Sequence, residues 1–293
     1  MILANLLSEI EYTCLQGDIN TDITNIVYDS RLVRPGSLFV CIRGFVTDGH
    51  RFVQKAIDAG AAAIVVEDAA AVAAGACFLQ VEDSRLALAY ISAAFFGKPA
   101  EKMTMIGLTG TKGKTSTAHM IKNILEQAGH TVGMIGTVGA FIGSEKLDTK
   151  NTTPESYELH SLFDKMYRAG CSHVVMEVSS QGLKQQRTAG IRFHVGAFLN
   201  LSEDHIGDGE HADFEEYKAC KKLLLRQTDR MVINIGAPYG EEFLAAAGNA
   251  VTVSATGDAD LAAQNIRNIW DTELFGVSFH AAGLFDHDLT VSM

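Results

Sequence analysis

Thr109-Gly-Thr-Lys-Gly-Lys-Thr-Ser116 follows the apolar run Met103-Thr-Met-Ile-Gly-Leu108. The pair reads as a buried strand feeding a glycine-rich loop. The loop opens onto a helix with Ala118, Ile121, Ile124 and Leu125 at helical spacing, which stops near Gly129. Such a loop aims several backbone N–H groups at one point, with a helix N-terminus behind them, and both favour a polyphosphate anion. Lys114 has the reach for β- and γ-phosphates, and the Thr115 hydroxyl suits Mg²⁺. The expectation is a nucleoside triphosphate site. The strict Walker pattern calls for glycine five residues before Gly113, where this chain has Leu108, so the loop is a shorter variant.

Beyond the loop, strand-like and helix-like segments alternate. Strands are expected at 103–108, 131–135, 173–178, 195–200, 230–234 and 250–254, and helices at 115–128, 155–169, 213–227 and 239–247. Apolar strands alternating with helices specify a largely parallel sheet covered on both faces. Ligands of such sheets sit at the carboxyl ends of the strands. Upstream, strand-like runs occur at Ile26–Tyr28, Ser37–Ile42, Ala62–Val66 and Cys77–Val81, with helices near 50–59 and 84–96. Pro35-Gly36 and Thr47-Asp-Gly49 are turn signals, and Gly97-Lys-Pro-Ala100 stops the last helix. The fold class is therefore α/β: a small N-terminal α/β domain over 1–98, then a mostly parallel-sheet, P-loop ATPase-like central domain over 102–293. The final strand-like pieces, Phe275–Phe279 and Asp288–Met293, meet no closing helix, and the alternation is expected to continue beyond them.

Composition narrows the class. The 293 residues are 47% hydrophobic and 20% charged, which describes a globular protein of roughly two domains. A net charge of −11 argues against a general nucleic-acid binder and against attraction to an anionic membrane surface. The N-terminus has no basic leader, and no apolar run reaches the ~18 residues of a membrane span. Cys14, Cys41, Cys77, Cys171 and Cys220 form no paired motif, as expected of free thiols in a reducing cytoplasm.

Three further segments carry chemistry. Glu177, near the end of His173-Val-Val-Met-Glu-Val-Ser-Ser180, is a strand-end carboxylate of the kind that makes a second Mg²⁺ contact beside a phosphate loop. Phe198-Leu-Asn-Leu-Ser-Glu-Asp-His205 is again a strand running into a polar loop, with His205 at the tip and His211 shortly after. In a chain that already calls for a divalent cation, His205 is a candidate ligand. The helix Phe214–Leu225 carries Lys218, Lys221 and Lys222, and Lys218 and Lys222 are expected in solvent.

Together, TGTKGKTS at 109–116, NTTPES at 151–156, MEVSSQGL at 176–183, NLSEDH at 200–205 and EEYKACKKLL at 215–224 resemble the Mur ligase family. The likeness is greatest to members that add the third amino acid of the peptidoglycan stem. Tyr28-Asp-Ser-Arg31, Pro35-Gly-Ser-Leu-Phe39 and Gly44 with Thr47-Asp-Gly49 resemble that family's uridine-diphosphate-binding domain, so the similarity spans essentially the whole chain. The resemblance implies an ATP-dependent, amide-forming ligase that acts on UDP-N-acetylmuramoyl-L-alanyl-D-glutamate and an amino acid through an acyl phosphate. Gly110, Thr111, Lys112, Gly113, Lys114, Thr115 and Ser116 would hold the ATP phosphates. Thr115, Glu177 and His205 would contact Mg²⁺, and Lys221 aligns with a lysine the family carbamylates, which would supply another metal oxygen ligand. Lys114, Lys221 and His205 would be the catalytic set. Ser30 would touch the uridine part, and Thr152, Thr153, Ser179, Gln185 and Arg187 the muramoyl peptide.

This chain also departs from the family's pattern. The stretch Gly207-Asp-Gly-Glu-His211 adds about two residues between His205 and Lys221, which leaves His205 and His211 as rival ligands. Gln181 stands where many relatives have histidine. The family's adenine-supporting stretch and amine-binding third domain are not found within these 293 residues. The amino acid added and the oligomeric state stay open. Rival readings are a non-catalytic nucleotide- or UDP-sugar-binding fragment, a folate polyglutamate-type ligase, and a small-molecule kinase.

Overall fold

The computed structural model describes residues 1–44, 47–204, 206–207, 210–270 and 275–292, with Phe275 as backbone only. The first unit runs α1 (Leu3–Leu6), β1 (Thr13–Gln16), β2 (Asn25–Val27), β3 (Ser37–Val40), α2 (Val53–Asp58), β4 (Ala61–Val66), β5 (Cys77–Gln80) and α3 (Ser84–Phe95). Its strands lie in the order β1-β5-β4-β3-β2, parallel except for β1. The four expected strands are present. Strand β1 was not expected, because Thr13-Cys-Leu-Gln16 is an exposed to half-buried edge with no apolar run. Alternation along β3 sends Leu38 and Val40 toward α1 and α3, and Phe39 toward α2. Asp83 caps α3, its carboxylate accepting from the N–H groups of Arg85 and Leu86. The chain leaves this unit through Gly97 and Lys98, at φ 69° and 53°, and a 3-10 turn at Pro99–Lys102.

The second unit runs β6 (Thr104–Thr109), α4 (Lys114–Gln127), β7 (Val132–Gly136), β8 (Gly139–Ile142), β9 (Glu145–Leu147), α5 (Ser156–Arg168), β10 (His173–Glu177), α6 (Ser180–Lys184), β11 (Phe193–Phe198), α7 (Phe214–Arg226), β12 (Thr228–Asn234), α8 (Gly240–Ala246), β13 (Ala250–Ser254), β14 (Leu261–Trp270), β15 (Phe275–Gly283) and β16 (His287–Ser292). The sheet order is β16-β15-β14-β13-β12-β11-β6-β10-β7-β8-β9. Neighbours from β7 to β14 are parallel, and hairpins at both edges are antiparallel.

Strand β6 lies between β10 and β11, so the phosphate loop leaves the middle of the sheet. One face packs Leu159, Phe163 and Met166 of α5 on Met105, Val174 and Met176. The other packs Ala118 of α4 on Leu108, Met134 and Val175. Each buried Leu, Phe, Val or Met of these contributes roughly 1.5–3 kcal/mol by leaving water. Ile124 departs from expectation: it is 67% exposed, because the inward stripe of α4 centres on Ala118, Ile121 and Leu125. The β8–β9 hairpin and β14 were also unexpected. The hairpin strands are short, and Gln264-Asn-Ile-Arg267 interrupts any apolar run in β14.

The two units meet along α3 and α5. Tyr157 of α5 packs on the first unit's core, its ring 5.4 Å from that of Phe96. The Tyr28 hydroxyl donates to Glu158 at 2.7 Å, and Arg85 pairs with Glu155 at 3.2 Å. Among the described residues no helix is long and apolar enough to cross a membrane.

Candidate active site

Gly113 caps α4 with φ 83°, a conformation that suits glycine, and it makes no side-chain cap hydrogen bond. The loop does not hold its shape alone. Asn200, at the end of β11, accepts through Oδ1 from the N–H groups of Thr111 and Lys112 at 3.2 and 2.9 Å. Its Nδ2 donates to the Lys112 carbonyl at 3.0 Å. Thr111 is buried, its hydroxyl 3.1 Å from that of Tyr217 and accepting from the Ser202 N–H at 3.0 Å. Lys112 is exposed and reaches Asp204 at 3.0 Å. Ser116 is exposed on the first turn of α4. Sequence reasoning gave Asn200 and Tyr217 no role. The signal for Asn200 was its place, the first polar residues after a buried strand next to the loop.

Removing the Asn200 amide leaves loop dipoles unpinned, a cost of about 1–3 kcal/mol. Asn200→Ala is thus expected to weaken nucleoside triphosphate binding by roughly 5- to 150-fold. Unchanged affinity in a titration would show that the loop needs no tether.

Two lysines converge on one carbonyl. The Lys114 ammonium donates to Gly110 O at 2.8 Å and Thr111 O at 3.1 Å. Lys221 donates to the same Gly110 oxygen at 3.0 Å and lies 4.5 Å from the centre of the Tyr217 ring. Lys221 is 2% exposed. Burial, then the positive charge of Lys114, pulls its pKa down to about 7, against a smaller opposing pull from Asp204. Burial likewise lowers Lys114, with Glu177 opposing. Lys218 and Lys222, expected in solvent, instead grip Glu242 of α8 at 3.2 and 2.6 Å, and only 12% of the Lys218 side chain is exposed.

Glu177 ends β10 with 1% exposure. Its Oε1 accepts from the Thr115 hydroxyl at 2.8 Å and the Thr137 N–H at 3.0 Å, and its Oε2 from the Thr137 hydroxyl at 3.2 Å. Gly136 leaves the room this carboxylate needs, since a Cβ there would lie 2.1 Å from Oε1. Thr152 reaches the same group through the Thr137 hydroxyl at 3.0 Å. His205 lies outside the described residues. Its rival His211 is fully buried, 2.9 Å from the Ser180 hydroxyl and packed on Tyr217.

The muramoyl-peptide candidates gather behind Glu177. The Thr153 hydroxyl is buried, donating to Glu177 O at 3.0 Å and accepting from the Ser179 N–H at 2.9 Å, so its place is in the frame of the site. The Ser179 hydroxyl caps α6 by accepting from the Gly182 N–H at 3.0 Å. Arg187 donates to Thr153 O at 2.9 Å and to Gln185 Oε1 at 2.7 Å, and pairs with Glu155 at 3.0 Å. Gln185 donates in turn to Gln181 at 3.1 Å. Ser30 is set apart, in a cavity of about 450 Å³ in the first unit that Glu155 and Arg85 also line.

Comparisons with known proteins identify the family. The Mur ligase middle domain matches residues 108–290, more than half of the chain, and the Mur ligase family catalytic domain matches 22–96. The UDP-N-acetylmuramoyl-L-alanyl-D-glutamate–2,6-diaminopimelate ligase of Clostridium perfringens is 44% identical over 240 residues, 82% of this chain and 49% of the relative. The enzyme of that name from Bacillus licheniformis is 41% identical over 261 residues, 86% of this chain and 53% of the relative. The chain spans about half the length of the curated relatives it matches. A solved structure of a ligase of the same name superposes with a TM-score of 0.83 at 21% identity, over 99% of this chain and 59% of that one. Mycobacterium tuberculosis folylpolyglutamate synthase gives 0.55 at 17% identity, over 71% of this chain and 53% of that one. The chain belongs to the Mur ligase family.

Proposed function

We propose that this protein is an ATP-dependent ligase of peptidoglycan synthesis that joins 2,6-diaminopimelate to UDP-N-acetylmuramoyl-L-alanyl-D-glutamate. The observation that carries the reading is the convergence of Lys114, Lys221, Thr115 and Glu177 at one loop, with Thr153 linking Glu177 to Arg187. The names of relatives 39–44% identical to the chain supply the substrate.

In this reading the acceptor carboxylate attacks the γ-phosphorus of ATP, ADP leaves, and the amine then displaces phosphate from the acyl phosphate. Loop N–H groups, the N-terminus of α4 and Lys114 hold the phosphates and counter the charge that builds on the transferring group. Thr115 and Glu177 offer hard oxygen donors 2.8 Å apart, a set that fits Mg²⁺, and His205 joins them in the same proposal. Bound there, Mg²⁺ would neutralise phosphate charge. At a pKa of about 7 a large share of Lys221 is the free amine at neutral pH, the form that adds carbon dioxide. The N–C bond forms, a proton leaves, and a cation becomes an anionic carbamate. Glu155 and Thr153 orient Arg187 for the peptide, and Ser30 takes the uridine.

The test is one incubation with a chain that carries the family's amine-binding third domain as well as these 293 residues. The substrate carries ¹⁸O in the terminal glutamyl carboxylate and is supplied with ATP and diaminopimelate. The expected result is an amide product with one ¹⁸O in the released phosphate. Amide formation without transfer of label would rule out the acyl phosphate, and label transfer with lysine alone as acceptor would overturn the choice of amine.

A further inference from the structure

Arg85 has no role in the account so far, although it sits where the two units meet. It lies just inside the Asp83 cap of α3, which fixes the backbone of the first turn. Its guanidinium carries five donors. Among the described residues it makes one hydrogen bond, from Nη1 to Glu155 at 3.2 Å. Only 19% of the side chain is exposed. Arg85 borders two cavities. One is the cavity of about 450 Å³ that contains Ser30. The other, about 230 Å³, is lined by Arg43, Gly44, Arg85, Lys184 and Gln185. Three cations thus surround one small space in a chain whose net charge is −11.

Each of the three is tied to a carboxylate. Arg43 pairs with Glu67 at 3.2 Å and Lys184 with Glu216 at 2.9 Å, both partners lying on the cation's own unit. Arg85 alone reaches across, from the first unit to Glu155 of the second. Glu155 also holds Arg187 at 3.0 Å, so one carboxylate is shared by two guanidinium groups. Arg85 lines both cavities, with Ser30 in one and Gln185 in the other. In a nucleotide sugar with its uridine at Ser30 and its muramoyl end toward Gln185, the diphosphate is the charged group that lies between the two. An arginine fork matches phosphate oxygens in shape as well as charge.

We propose that Arg85 binds the diphosphate of the nucleotide-sugar substrate, and that Glu155 is the internal anion that occupies Arg85 until the substrate arrives. This rests on reading the cleft as the UDP-N-acetylmuramoyl site. Substrate binding exchanges an ion pair within the protein for one with the ligand, and Glu155 keeps its second partner, Arg187.

The test titrates the whole chain with uridine, UDP and UDP-N-acetylmuramoyl-L-alanyl-D-glutamate, using calorimetry for the tighter ligands and ligand-observed NMR for uridine. Arg85→Ala is expected to weaken UDP by roughly 10- to 100-fold and leave uridine unchanged. Arg85→Lys keeps the charge without the fork and should fall between. Glu155→Gln removes the competing charge and should tighten UDP by roughly 2- to 5-fold. Unchanged uridine affinity shows that a variant is folded. Equal loss of uridine and UDP in both Arg85 variants would make the residue structural and overturn the proposal. Unchanged UDP with weakened muramoyl dipeptide would move Arg85 to a peptide carboxylate and overturn it too. Weaker UDP binding in Glu155→Gln would refute the placeholder role. If the parent chain binds none of the three ligands, the reading of the cleft itself fails, a result distinct from unaltered UDP binding in Arg85→Ala.

Discussion

In a chain that also carries the amine-binding third domain, Lys114→Ala is expected to lower ATP-dependent phosphate release by on the order of 10²–10³-fold, the loss typical of deleting one donor aimed at developing charge. The lysine folds back on the carbonyls of Gly110 and Thr111 at 2.8 and 3.1 Å. To meet a phosphate it gives up two neutral acceptors for an anionic oxygen, a stronger partner by about a factor of two. Stability should change little, because the ammonium is half-buried and its pKa is already lowered by burial. Lys112→Ala is the control. Its side chain is 77% exposed, and its ion pair with Asp204 contributes up to about 1 kcal/mol. Its rate should drop by no more than roughly fivefold. Near-normal turnover in Lys114→Ala, or equal losses in the two variants, would sink the assignment of the loop.

Lys221→Met should separate stability from activity. The ammonium is 2% exposed beside Lys114, and its pKa of about 7 stands well below its ordinary 10.5. The unfolded chain holds that proton more tightly. Stability therefore rises as pH climbs from about 7 toward about 10.5, and the burial cost is fully present below about 7. Replacing a buried charge with an apolar side chain of similar length should stabilise the fold by about 1–4 kcal/mol at pH 7. The gain should shrink as pH approaches 10, which melting curves at both values would show. Ligation should be lost in Lys221→Met. In Lys221→Ala, short carboxylic acids should restore part of it by supplying the missing oxygen ligand. A variant that melts lower at pH 7 and keeps its rate would contradict both the charge argument and the carbamate.

Much of the fold could be read from periodicity. The parallel strands from β6 to β13 are nearly continuous apolar runs, and helices α4, α5 and α7 lie between them with clear stripes. Periodicity locates a stripe less well than it detects one, which is why Ile124 was placed inward and is exposed. The same stripe singles out Lys221. Tyr217, Cys220, Lys221 and Leu224 are the buried residues of α7, so Lys221 occupies an apolar position one turn after Tyr217. Lys218 and Lys222 lie off that stripe, and their pairing with Glu242 depends on α8, which local sequence does not position. Asn200 and Arg85 act through partners about 90 and 70 residues away, contacts that arise only once the sheets assemble. Glu177 was legible because a carboxylate at the end of a buried strand beside a phosphate loop has few structural reasons to be there.

The most direct measurement is the crystal structure of this chain with UDP-N-acetylmuramoyl-L-alanyl-D-glutamate. The account predicts the uridine at Ser30, the diphosphate on Arg85, and the terminal glutamyl carboxylate directed at the space between Lys114, Lys221 and Glu177. Electron density for the ligand elsewhere, or with that carboxylate turned away from the phosphate loop, would contradict it.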